Sequence, residues 1–169
     1  MKRRIFWSIF LTSFLLLALT VTAVMGAVYN QFTDERKSEI KIETGYIQNA
    51  YGGGNLEYLR QIGAASRYRI TLITPNGVVL YDSFVDATTL ENHADRPEVV
   101  SALQNGTGES TRTSTTLGQK TYYYAVLLND GNVLRMATTI KSMAAIIDNM
   151  ATMIFLILIF ALFIIVLTA

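Results

Sequence analysis

Two uncharged apolar segments lie at opposite ends of the chain, and a polar segment of ordinary composition separates them. The first runs from Ile5 to about Val28, and the second from about Met150 to Ala169. A helix needs about 20 residues, at a rise of about 1.5 Å each, to cross a bilayer, and both segments reach this length. The sequence therefore predicts two transmembrane helices that tether the intervening segment at both of its ends.

The distribution of charge predicts the side of the membrane on which each segment lies. Lys2, Arg3 and Arg4 precede the first apolar segment, and basic residues in short flanking segments stay in the cytoplasm. All 13 acidic residues lie between Asp34 and Asp148. We therefore expect a multi-pass protein of the plasma membrane, with both chain ends at the cytoplasmic side and the polar segment outside.

The composition of the chain excludes several functions. Of its 14 basic residues, three precede the first apolar segment, so the remainder has 11 basic and 13 acidic residues and a net charge of −2. A slightly acidic segment offers no basic surface to nucleic acid. Cysteine is absent, which excludes disulfides and thiolate metal sites. The sequence contains no recognisable triad or nucleotide-binding motif, so we expect neither a catalytic residue nor a cofactor in this chain.

The two apolar ends differ in what else they suggest. The first could be a cleaved signal peptide, because small residues lie between Ala23 and Ala27, but its apolar run exceeds the usual length of about 7–15 residues. The second continues to Ala169 with no basic residue after it. Since a spanning helix normally has such a residue at the cytoplasmic interface, we expect the chain to be cut there and an output module to follow.

Local patterns predict the elements of the polar segment. Residues 29–50 have the periodicity of an amphipathic helix continuous with the first apolar segment. Glycines at 52–54 end that helix, and Asn55 can cap a short second one. Another short helix follows Pro97, and residues 140–149 lead as a helix into the second apolar segment. Alternating residues separated by turn signals predict five strands, at residues 68–74, 78–82, 109–116, 121–128 and 133–139.

This order of elements predicts an α+β fold, a five-stranded antiparallel sheet with helices on one face. The order resembles an extracytoplasmic PAS-like, or single-CACHE, sensor domain. We therefore expect three regions. Residues 1–28 are the cytoplasmic N-terminus and first transmembrane helix, residues 29–149 are the PAS-like sensor domain with its long N-terminal helix, and residues 150–169 are the second transmembrane helix.

Three runs of residues have a more specific resemblance, namely PNGVVLYDS at 75–83, ENHADRPEV at 91–99 and ALQNG at 102–106. They resemble the outer sensor domain of bacterial sensor histidine kinases, most closely the phosphate-regulon type. The most specific part comprises His93, Arg96, Pro97 and Glu98. The resemblance implies a cytoplasmic HAMP linker, a phosphoacceptor helix pair and an ATP-binding domain beyond the second span. That module would use ATP and magnesium and would act on a response regulator.

Aromatic and arginine residues on the predicted strands form a candidate ligand site. The residues that would line the space between the sheet and its helices are Tyr81, Arg112, Tyr122, Tyr124 and Arg135. An arginine with aromatic neighbours suits a carboxylate or phosphate ligand. However, such alternation also serves the core and cross-strand pairs of an ordinary sheet, and we favour that interpretation.

The only histidine of the chain lies among acidic residues and suggests a metal or pH-sensing site. The residues of such a site would be Asp82, His93, Asp95 and Glu98. No complete ligand spacing is present. We favour the alternative that Asp95 or Asn92 caps the helix after Pro97 and that the remaining polar groups satisfy one another.

Three functions fit these features. In the first, the chain is the input half of a two-component sensor histidine kinase and passes an unknown extracellular signal, from a ligand or protein, through two helices. In the second, the same module serves a chemoreceptor or a cyclic-dinucleotide enzyme. In the third, the chain is a two-span membrane interaction protein. Small residues spaced by four, Thr22 with Gly26 and Ala23 with Ala27, suit helix packing in a bilayer and predict a homodimer.

Overall fold

The computed structural model describes residues 2–51, 54–114 and 118–140, together with the isolated helical positions 157 and 159. The predicted helix at 140–149 and the second apolar segment therefore lie outside the described residues, apart from Ile140 and those two positions. The chain divides into two compact units. One comprises Met1–Glu35 and Ile146–Ala169, and the other comprises Arg36–Ala145.

A single helix, α1, runs for 50 residues from Lys2 to Tyr51. It is long and apolar enough to cross a membrane, and its most apolar window has a mean hydropathy of 2.2. Only 6% of that window is buried within the protein. Threonine hydroxyls in this part donate to backbone carbonyls four residues earlier, for example Thr20 to Leu16 at 2.8 Å. Such bonds satisfy the hydroxyl without water, as an apolar environment requires.

The second unit contains the last part of α1 and then eight further elements. In chain order these are α2 (Leu56–Ala65), β1 (Arg69–Ile73), β2 (Val79–Asp82), a 3₁₀ turn (Ala87–Thr89), α3 (Pro97–Asn105), β3 (Thr107–Thr113), β4 (Lys120–Leu127) and β5 (Val133–Thr139). Asn55 caps α2 as predicted, because its side-chain oxygen accepts a 3.1 Å hydrogen bond from the Tyr58 N–H.

The five strands form one antiparallel sheet in the order β2-β1-β5-β4-β3. The predicted α+β class and five-stranded antiparallel sheet are thus confirmed. β3 begins at Thr107 instead of residue 109, because Gly106 alone ends α3, with φ of 84°, and the next residues already pair with β4. Gly108 has to be small, since a side chain there would meet the Glu98 carbonyl.

Helices cover both faces of this sheet, and the prediction of helices on one face is wrong. One core packs α1 and α2 against the sheet through Ile40, Leu59, Ile70 and Met136. The other packs α3 against alternate positions of the same strands, including Ala125 and Val133. The physical reason is visible in β1, where all five residues are buried, as a strand covered on both sides requires.

The start of α3 also differs from the prediction. Arg96 occupies the N-cap position and makes no side-chain capping hydrogen bond. The side-chain oxygen of Asn92 instead accepts a 2.8 Å hydrogen bond from the Ala94 N–H, within the preceding loop. Capping by Asp95 or Asn92 is therefore wrong. Pro97 makes the cap less necessary, because it fixes φ and has no N–H to satisfy.

Candidate functional site

The α3 face of the sheet contains a cluster of five charged residues, four of them buried, which we call the arginine cluster. It comprises Arg69 of β1, Asp82 of β2, Glu98 of α3, Arg112 of β3 and Arg135 of β5. Strand register explains why these residues meet. Thr71 of β1 pairs with Asp82 on one side and with Arg135 on the other, so all three lie on the same face.

Glu98 is the centre of this cluster and is fully buried. Its carboxylate accepts hydrogen bonds from the Ser110 hydroxyl at 2.5 Å, from Arg112 at 3.0 Å and from Arg135 at 3.3 Å. Burial raises the pKa of the Glu98 carboxyl, but hydrogen bonds from Ser110, its own backbone and Arg112 outweigh burial, so the pKa lies below its ordinary value. Glu98 is therefore ionised at neutral pH and is paired from two strands.

Asp82 forms the second anionic part of the arginine cluster. Both its oxygens accept from Nε of Arg69, at 3.0 and 2.8 Å, and one also accepts from the Thr71 hydroxyl at 2.9 Å. The Thr71 oxygen in turn accepts from Arg135 at 3.3 Å, which connects the two anionic parts. Backbone N–H groups of Phe84 and Val85 also donate to Asp82, which fixes the start of the following loop.

Tyr123 of β4 lies between two of the arginines. Its ring centroid is 4.3 Å from the guanidinium carbon of Arg112 and 5.1 Å from that of Arg135. Such stacking stabilises a guanidinium in a buried site and keeps its hydrogen-bonding plane fixed. The two arginines that hold Glu98 are thus positioned by a shared aromatic ring.

His93 lies beside the arginine cluster and is 7% exposed. Its backbone N–H donates to the Gly77 carbonyl at 2.8 Å, which fixes the loop against the turn between β1 and β2. Burial lowers the pKa of the His93 imidazole, and the positive charges of Arg135, Arg96 and Arg69 lower it further, against a smaller opposing effect of the Asn92 backbone. The imidazole is therefore neutral at pH 7.

The four residues of the suggested metal or pH-sensing site do not form one ligand set in the structure. Asp82 and Glu98 each bind arginines, His93 is buried beside them, and the Asp95 side chain is 81% exposed and 3.6 Å from Arg96. Across the described ranges, no group of three or more His, Asp or Glu residues could hold a metal ion. A response to pH through His93 remains compatible with this geometry.

The opposite face of the sheet contains a second polar contact, which we call the α1 clasp. Glu109 of β3 accepts a hydrogen bond from the Tyr122 hydroxyl and an ion pair from Lys41 of α1 at 2.8 Å. The hydrogen bonds from Lys41 and Tyr122 lower the pKa of Glu109, whereas burial, followed by the contact with Glu109, raises that of Tyr122. Lys37 and Lys41 also lie over the rings of Tyr122 and Tyr124, each at 5.5 Å.

The five residues of the suggested ligand site divide between the two faces. Arg112 and Arg135 belong to the arginine cluster, whereas Tyr81, Tyr122 and Tyr124 pack with the core under α1 and α2. The structure therefore brings together the two arginines but not the tyrosines with them. Successive side chains of a strand point to opposite faces of the sheet, and this alternation explains the division.

Several residues of these contacts were not found from the sequence. The missed residues are Lys41, Arg69, Thr71, Glu109, Ser110 and Tyr123. Arg69 gave the clearest available signal, since a charged residue inside an apolar strand buried on both faces needs an ionic partner.

In comparisons with known proteins, no protein family and no curated protein matches this chain. Among the residues of the resemblance, His93 closes the loop, Arg96 and Pro97 begin α3, and Glu98 joins α3 to the sheet.

Proposed function

We propose that the chain is the sensor and transmembrane half of a two-component sensor histidine kinase, with a PAS-like sheet domain outside the cytoplasm. The observation that carries the proposal is the continuity of α1. One unbroken helix contains both the apolar segment and the segment whose buried residues pack on the sheet. A change in the sheet therefore has a direct covalent route toward a membrane.

The contact between α1 and the sheet is suited to this role. Ile40, Ile47 and Tyr51 of α1 are at most 4% exposed, and burial of such a side chain contributes about 1.5–3 kcal/mol. The α1 clasp adds a polar contact whose position depends on β3. The helix is thus held firmly by apolar packing and is positioned by an edge strand.

β3 is the strand through which a signal would pass from α3 to α1. Ser110 and Arg112 of β3 bind Glu98 of α3 on one face, and Glu109 of β3 binds Lys41 of α1 on the other. Adjacent residues of one strand therefore contact both helices. A movement of α3 that shifts β3 would therefore alter the α1 clasp. This connection through β3 supports a sensor in which α3 and α1 are coupled.

The sheet order and the helices on both faces support a PAS-like domain, and the arginine cluster fits beneath α3 where such a domain closes over its sheet. The bilayer is the partner of the apolar segment. A second copy is the proposed partner of α1, because Phe32, Ile42 and Tyr46 are 55%, 57% and 71% exposed on this helix. ATP, magnesium and a response regulator belong to the expected cytoplasmic module.

A chimera tests the proposed coupling. Residues 1–169 are joined to the cytoplasmic half of a sensor histidine kinase of known output, and Glu98→Gln replaces the unknown stimulus by loosening α3. Asp34 and Glu35, both exposed on α1, are changed to a Gly pair or, as the matched control, to an Ala pair. Each Gly costs a helix about 1 kcal/mol relative to Ala.

We expect Glu98→Gln to alter autophosphorylation in the Ala-pair chimera and to have no effect in the Gly-pair chimera. The same response in both, or no response in either, contradicts the proposal that α1 conducts a signal from the sheet.

A further inference from the structure

Within the arginine cluster, the strands of the sheet supply all the side-chain donors of a binding site for one carboxylate. The Ser110 hydroxyl and the guanidinium groups of Arg112 and Arg135 all come from strands, whereas the carboxylate that they bind comes from α3. The donors are held by β3 and β5, and Tyr123 stacks on both arginines. The positions of these three donor groups are therefore set by the sheet and not by α3.

The charges on this face favour an anion at that position. Arg69, Arg112 and Arg135 are opposed by two buried carboxylates, of Asp82 and Glu98, and Asp82 is already bound by Arg69. In the part of the chain that the structure describes, the Nε atoms of Arg112 and Arg135 are buried without a hydrogen-bond partner. Without Glu98, the buried Arg135 guanidinium would lose its carboxylate partner, which is strongly unfavourable, and so would that of Arg112, whose side chain is 24% exposed.

We propose that Ser110, Arg112 and Arg135 form a carboxylate-binding site that the chain fills with its own Glu98. Glu98 is an internal ligand in this sense, and its site accepts a small monocarboxylate of acetate size when the Glu98 side chain is absent. The proposal concerns the sheet and α3 alone, so it stands or falls independently of any signalling role.

The internal ligand has a consequence for any external one. A small carboxylate cannot add to the closed domain at this site, because the Glu98 carboxylate already receives the donors. It can bind only by displacing Glu98, and the first turn of α3 then loses its ionic contact with β3 and β5. Ligand binding and release of α3 are thus the same event.

Chemical rescue tests the proposal directly. Glu98→Ala removes four heavy atoms, Cγ, Cδ and two oxygens, and acetate has the same four-atom arrangement. The full chain in lipid nanodiscs is melted by near-ultraviolet circular dichroism in sodium acetate and in sodium chloride of equal ionic strength. We expect acetate at several times its Kd to raise the Tm of Glu98→Ala by about 4 °C more than chloride does.

Glu109→Ala is the matched control. Glu109 also binds a cation, Lys41, but its side chain is 52% exposed, so we expect acetate and chloride to affect this variant and the unaltered chain equally. Equal Tm values for Glu98→Ala in the two salts overturn the proposal.

If Glu98→Ala fails to fold in both salts, Glu98→Gln decides the matter, since it keeps the shape of the side chain and removes its charge. A Tm well below that of Glu109→Gln supports a site that requires an anion. A Tm equal to that of the unaltered chain shows that the donors need no carboxylate and overturns the proposal.

Discussion

At the scale of single residues, the buried ionic contacts decide where α3 lies more than how stable the domain is. Desolvation of Glu98 and Arg135 costs much of what their attraction returns, so such a pair contributes little net stability. Breaking it is costly, because one charge then remains buried alone. Val99 and Ala102 pack α3 on the sheet without directional bonds, whereas three hydrogen bonds to one carboxylate specify its position.

His93 gives this site a predictable response to acid. Its pKa lies below the ordinary 6.5 in the folded protein, so the unfolded chain binds the proton more readily. The domain is therefore at full stability above about pH 6.5 and loses stability as pH falls from there toward the folded pKa. The positive charges of Arg135, Arg96 and Arg69 oppose protonation of the imidazole and add to the effect of burial on its pKa.

We expect the Tm of the unaltered chain to fall between pH 6.5 and pH 5, and that of His93→Gln to fall less, because His93 is the only histidine. Parallel melting curves at these two pH values provide the measurement. An equal fall in both proteins would show that another group titrates.

At the scale of elements, α1 has two different faces in the part that packs on the sheet. Ile40, Thr44 and Ile47 are buried against the sheet, whereas Ile42 and Tyr46 point away and are more than half exposed. Exposed apolar residues at helical spacing mark a surface for another helix. In the proposed homodimer, a second copy of α1 would supply the same apolar surface and make a symmetric contact.

This symmetric contact predicts crosslinking at one position and not at another. The chain has no cysteine, so Tyr46→Cys and Glu57→Cys each introduce a single thiol. We expect mild oxidation in membranes to give a disulfide-linked dimer with Tyr46→Cys and little with Glu57→Cys, which lies on α2. Equal crosslinking of the two variants would argue that collision, and not an α1 interface, forms the dimer.

The elements themselves were largely predictable from sequence, and their contacts were not. Local alternation and turn residues located all five strands, and the cap at Asn55 was correct. The face covered by α3 was not predictable, because it depends on residues far apart in the chain. Glu98 and Arg135 are 37 residues apart, and no local pattern indicates that they meet.

At the scale of the whole molecule, the proposed sensor must change the relative stability of two arrangements. Shifting a population from 1:99 to 99:1 takes about 5.5 kcal/mol of differential binding. A ligand that binds only after α3 is displaced favours that arrangement by its own binding free energy. Two copies joined through α1 would sum their contributions, which makes a dimer the natural form of such a device.

In the proposed function, the sheet lies outside the cytoplasm and α1 connects it to the membrane. Single cysteines at Glu57, on α2, at Lys2, before the apolar segment, and at Ala169 test it with a membrane-impermeant maleimide on intact cells. We predict labelling of Glu57→Cys on intact cells, and labelling of Lys2→Cys and Ala169→Cys only after lysis. Labelling of Glu57→Cys only after lysis would place the sheet in the cytoplasm and contradict the account.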